Sequence, residues 1–159
     1  MNLSKSEKIA GIVAAALLFV VTLVSAFFFL GKLKVSVVEW LAFNACAVTS
    51  YVYLGCFVAF LISKNGGLLV FTSLPLFFLG TISMFVLPWS GAYLIAHITH
   101  IIITANITWA FYIVLKYKAY KGIAIGLMIG MLVFVPYIAY VQTYNQTHAA
   151  ELSRLLQQQ

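Results

Sequence analysis

The chain has 159 residues, of which 64% are apolar and 8% charged, and it carries a net charge of +6. A soluble domain has roughly 25% charged residues. A fold of this length could not hide so much apolar surface from water, so a water-soluble enzyme or binding domain is excluded and lipid is the expected solvent. The nine basic residues stand singly or in short groups between apolar runs. Loop charges of membrane proteins are spread in this way, and no nucleic-acid footprint is formed.

Residues 1–8 are polar, with Lys5 and Lys8. The charge-free stretch 9–30 follows. It starts like a signal peptide, with Val24-Ser25-Ala26 at its end, but it exceeds a ~7–15-residue signal core and is expected to stay as the first span. Lys32 and Lys34 flank a tight link. The second apolar stretch, 35–62, would extend roughly 42 Å as one helix, more than the ~30 Å hydrocarbon core, so tilt or projection is expected. Cys46 and Cys56 lie ten apart in it, about 15 Å along a helix, too far for a disulfide.

Ser63-Lys64-Asn65-Gly66-Gly67 reads as a turn. The third span, 68–87, contains Pro75 and is expected to kink there. The fourth, 92–115, is preceded by Ser90 as a candidate cap. Lys116, Lys118 and Lys121 alternate with aromatic and small residues before the fifth span, 122–141. The tail, 142–159, is polar, with Leu152, Leu155 and Leu156 at helical spacing. It is expected to extend the fifth span or to lie as a short interfacial helix.

The fold class is therefore an all-α integral membrane bundle of five transmembrane helices, one domain over 1–159. Lys5, Lys8, Lys64, Lys116, Lys118 and Lys121 gather on one side, against Lys32, Lys34 and Arg154 on the other. The positive-inside rule puts the N-terminus in the cytoplasm and the C-terminus on the opposite side. The location expected is the plasma membrane or another energy-coupling membrane.

Gly122, Gly126 and Gly130 stack on one face of the fifth span, so a second helix is expected to pack closely there. Gly11 and Ala15 offer the same spacing in the first span.

At 100° per residue, Tyr93, His97, His100, Thr104 and Thr108 share one stripe of the fourth span, and Asn106 lies on the far side. In the second span Glu39, Cys46, Thr49, Ser50 and Tyr53 share a stripe, with Asn44 opposite. Counted along continuous helices, Glu39 lies about 6 Å in from the outer side, His97 near 8 Å and His100 near 12 Å. Glu39 is the only acidic residue, and these are the only histidines, inside the expected spans. Set at one level, they would ligate a divalent transition metal, pass protons or hold a polar ligand. One haem held by both histidines is not expected, because residues three apart on a helix cannot take opposite axial positions; they would serve different cofactors or use ligands from another chain. The bland alternative is that the stripes hold two helices together.

The chain has no P-loop, HExxH or GxSxG pattern and no CxxC pair. With its polar residues mostly inside spans, it is not expected to be an enzyme on its own. The leading expectation is a small accessory subunit of a larger integral-membrane complex that handles electrons, protons or a metal. Its partners would be the bilayer and other transmembrane subunits, or copies of itself. The alternatives are a stand-alone metal- or haem-binding redox protein using Glu39, His97 and His100, and a small homo-oligomeric channel or transporter.

Overall fold

The structure, a computed structural model, describes residues 1–90 and 93–157. The start of the fourth span, where Ser90 is the expected cap, falls at 91–92, outside the described residues, as do the Tyr93 and Leu156 side chains and the last two residues. The described residues are mostly helical, with no strand among them. Five helices are long and apolar enough to cross a membrane: Lys5–Lys32, Ala45–Ser63, Gly67–Val86, Ala96–Lys116 and Tyr120–Thr147.

Helix α1 (Lys5–Ala26) begins at a capping box. The Ser4 hydroxyl accepts the Glu7 N–H and the Glu7 carboxylate accepts the Ser4 N–H, so two orphan donors are satisfied reciprocally. It buries Gly11, Ala15, Leu18 and Thr22 at helical spacing. The rest of its surface is mostly apolar and exposed, which is consistent with lipid contact. A π turn, Phe27–Lys32, continues it.

The second span departs from expectation. It is not one long helix but two, α2 (Val37–Phe43) and α3 (Ala45–Ser63), divided where Asn44 leaves helical geometry at φ −122° and ψ 39°. The break leaves α3, at 19 residues, as the part of this stretch long and apolar enough to cross a membrane. Breaking a helix orphans its last carbonyls. Here Tyr137 Oη–H donates to the Leu41 carbonyl at 2.7 Å and Asn145 Nδ2 to the Ala42 carbonyl at 3.2 Å. The Asn44 side chain bonds Ser25 of α1 at 2.9 Å.

The third span is more irregular than a single kink. It runs as α4 (Gly67–Val70), α5 (Ser73–Leu76), a π turn (Phe77–Thr81) and α6 (Ser83–Val86). Pro75 falls in the first turn of α5, where a missing N–H disturbs a helix least. Helices α7 (Tyr93–Lys116) and α8 (Tyr120–Thr147) follow, then α9 (Ala149–Gln157). α8 runs through Pro136 and absorbs the start of the expected tail. Ala149–Gln157 of that tail form α9.

The glycine face is used within the chain. A Cβ on Gly126 would overlap the Gly67 carbonyl, and one on Gly130 the Phe71 carbonyl. α8 thus packs on α4 and α5. Gly11 has a different partner, the Trp109 indole, because α1 packs on α7 and α3. Leu18, Tyr53, Phe60, Leu69, Leu76, Ile103 and Ile113 make up the centre of the core. At one end of the bundle the Met1 ammonium meets the Lys64 carbonyl at 3.3 Å, and Gly66 abuts Ala119. The Asn44 break and the C-terminal turns of α8 meet at the other.

Candidate functional site

His97 and His100 are both buried, at 1% and 4% exposure. His97 Nε2 lies 3.0 Å from the Pro88 carbonyl. A carbonyl can only accept, so Nε2 carries the proton and, in the neutral ring, Nδ1 keeps its lone pair. The Trp89 indole lies flat on the His97 ring, with centroids 3.9 Å apart and planes 5° from parallel. Trp89 is itself placed by its Nε1–H, which donates to the Met84 carbonyl at 2.9 Å. The His100 ring stands at 83° to that of His97, with centroids 6.3 Å apart. Nδ1 of each ring has no hydrogen-bond partner among the described residues.

Glu39 does not join them. Among the described residues, no three His, Cys, Asp or Glu side chains are gathered where they could hold one metal ion. The expected Glu39–His97–His100 triad assumed a continuous second helix, and the break at Asn44 removes that premise. Glu39 instead closes the capping box of α2: its carboxylate accepts the Ser36 N–H while the Ser36 hydroxyl accepts its own N–H. Those Ser36 hydrogen bonds hold its carboxyl below the usual carboxylate range. Glu151 of α9 and His148, at the α8–α9 junction, are the further groups that lower it.

The two polar stripes are consumed locally. The Ser50 hydroxyl donates to the Cys46 carbonyl at 2.7 Å and that of Thr49 to the Ala45 carbonyl at 3.0 Å. Thr104 donates to the His100 carbonyl and Thr108 to the Thr104 carbonyl, both at 2.8 Å. Among the described residues, a side-chain hydrogen bond joins the fourth-span stripe to the third span, Thr104 Oγ1 to Thr81 Oγ1 at 2.9 Å. Tyr53 reaches the Asn106 carbonyl at 3.4 Å, and Phe57 meets Trp109 edge-on. The second and fourth spans therefore touch through long aromatic side chains, while α1 is the main neighbour of α7.

The polar residues opposite the stripes bond to α1. Asn106 is buried and donates to the Ala14 carbonyl of α1 at 3.0 Å as well as to Ile102 in its own helix. Asn44 bonds Ser25 of α1. Glu7, absent from the expected site residues, is buried at one end, where its carboxylate takes an ion pair from Lys116 and a bond from the Tyr117 hydroxyl at 2.9 Å. Its carbonyl accepts Trp109 Nε1–H at 3.2 Å. Ser4-x-x-Glu7 and Ser36-x-x-Glu39 are both capping-box patterns legible in the sequence.

Two shallow grooves, of about 610 and 500 Å³, flank the outer ridge of α7. Thr104, Thr108 and Tyr112 line both. Met84, Ile101, Ala105 and Trp109 complete one, and Phe77, Thr81, Ile107, Phe111 and Leu115 the other. No family model matches the chain, and no curated protein or solved structure matches it either.

Proposed function

We propose that the chain is a membrane-embedded accessory subunit that docks on another transmembrane polypeptide through the outer ridge of α7. The observation that carries this reading is the ridge itself. Ile101, Ala105, Thr108, Tyr112 and Leu115 are exposed along it, and grooves run on both sides. Thr104 and Thr108 supply the small-xxx-small spacing that lets a second helix come close, and a ridge between grooves suits helix-on-helix packing. The glycine face of α8 is already occupied by α4 and α5, so it does not compete for this role. A channel is less well supported, because the threonine hydroxyls of the grooves are turned onto backbone carbonyls.

The orientation we propose has the N-terminus in the cytoplasm. It rests on the excess of lysines around the end formed by Met1, Lys64 and Lys116. The docking reading is tested by a photo-crosslinking residue at position 105, with position 132 on α8 as the control, followed by native electrophoresis after mild solubilisation. A crosslink from 105 to a different polypeptide, within a larger complex, is the expected result. Migration as a lone protomer or a homo-oligomer removes the reading.

A further inference from the structure

We infer that His97 and His100 form a buried two-nitrogen site for a soft monovalent cation, cuprous copper. The site lies wholly within this chain and does not depend on the subunit reading.

The argument begins with the proton on His97. A metal-binding histidine characteristically donates its other ring N–H to a carbonyl or carboxylate, which sets the tautomer and aims the free lone pair. The Pro88 carbonyl does this to His97 at 3.0 Å, leaving Nδ1 as the ligand. Trp89, stacked on the ring at 3.9 Å, fixes its plane. His100 brings a second Nδ1, also buried and without a partner among the described residues. An unpaired polar atom in such a place costs stability unless something uses it. The ring centroids lie 6.3 Å apart, a spacing that one cation bridges at about 2 Å from a nitrogen of each ring once both nitrogens face it.

The donor set selects the ion. Calcium and magnesium need several oxygen ligands, and the Glu39 carboxylate, expected to join the histidines, is engaged with Ser36. Zinc takes four ligands in structural sites and three protein ligands in catalytic ones. No third His, Cys, Asp or Glu joins the pair among the described residues. Charge burial costs rise with the square of the charge, so an apolar interior favours a monovalent ion. Imidazole suits copper, and copper in its +1 state accepts two ligands.

The test is an anaerobic titration of the full chain in detergent with Cu(I), kept reduced by ascorbate, against a chromophoric Cu(I) chelator. X-ray absorption of the loaded protein accompanies it. We expect one equivalent held against the chelator, with two nitrogen neighbours and no sulfur. That equivalent is lost in both His97→Gln and His100→Gln and kept in Thr108→Ala. No retained copper, or copper that persists in both histidine variants, overturns the site. So does a sulfur neighbour, which would mean Cys46, Cys56 or a methionine. The absorption spectrum of the unsubstituted protein decides the question even if a histidine variant fails to fold. A ring pair that shares a proton instead of a metal would show itself as an absence of copper uptake.

Discussion

The carbonyl of Phe71 lies directly against Gly130. In a regular helix that carbonyl would accept the N–H of residue 75, and Pro75 has none. The two facts fit together: the third span exposes a strip of backbone where its helix is interrupted, and α8 meets that strip with glycines. Gly126 against the Gly67 carbonyl repeats the pattern one turn away. Backbone cannot move aside as a flexible side chain can. Gly126→Ala and Gly130→Ala are therefore expected to destabilise the protein by about 1–3 kcal/mol each. Gly55 has open space around its Cα, and Gly55→Ala is expected to gain up to about 1 kcal/mol from helix propensity. Thermal unfolding in detergent separates the two classes, and equal losses at all three positions would refute the packing account.

Asn106 and Thr108 are both polar residues of α7, and they are expected to behave differently. Asn106 is buried and ties α7 to the Ala14 carbonyl of α1, whereas Thr108 bonds its own helix on an exposed face. Asn106→Ala should cost about 1–2 kcal/mol, the upper part of the range for interhelical bonds in membranes. Thr108→Ala should stay within about 0.5 kcal/mol. Reversible unfolding in mixed micelles measures both. A larger loss at Thr108 would show that the stripe, not its opposite face, holds the helices together.

The Glu7 cluster predicts a local effect. Glu7→Gln removes the charge that pairs with Lys116 and weakens the bond from Tyr117. Amide hydrogen exchange over residues 1–8 should quicken, with little change in α8, which makes no bond to the cluster. Tyr117→Phe should have the same effect in smaller measure. Unchanged protection of the N-terminal segment in Glu7→Gln would mean that the capping box alone holds it.

Ser36 and Glu39 set a pH dependence. The Glu39 carboxyl titrates below its ordinary value because the charged form is hydrogen-bonded in the folded state. A depressed carboxylate contributes stability above its unfolded pKa, about 4.3, and loses it as pH falls through the lower folded value. Glu39→Gln should cost about 0.5–1 kcal/mol near neutral pH and progressively less below pH 4. Melting temperatures of the two proteins that stay parallel from pH 7 to pH 3 would contradict this.

The five spans and the glycine face were legible because each is a run of many residues with one period, and such signals survive local irregularity. The break at Asn44 was not. An asparagine inside an apolar run has no local mark of a break, and the groups that make this one tolerable, Ser25, Tyr137 and Asn145, are remote in sequence. The depth of Glu39 was counted along a helix that does not continue, so the error in the triad follows from the same residue. The Ser36-x-x-Glu39 pattern was readable and pointed to a helix start instead of a site. The polar stripes misled for a simpler reason. Serine and threonine on helices can bond the carbonyl one turn back, and a stripe of them need not face anything polar.

The Asn44 break also has a consequence for biogenesis. The donors that close it, Tyr137 and Asn145, are separated from their acceptors by 96 and 103 residues. At roughly 5–20 residues per second of synthesis, α2 waits on the order of 5–20 s for them after it leaves the ribosome. During that interval its end carbonyls must be met by water or by the insertion machinery. The second span can thus complete its hydrogen bonding only when the last one arrives.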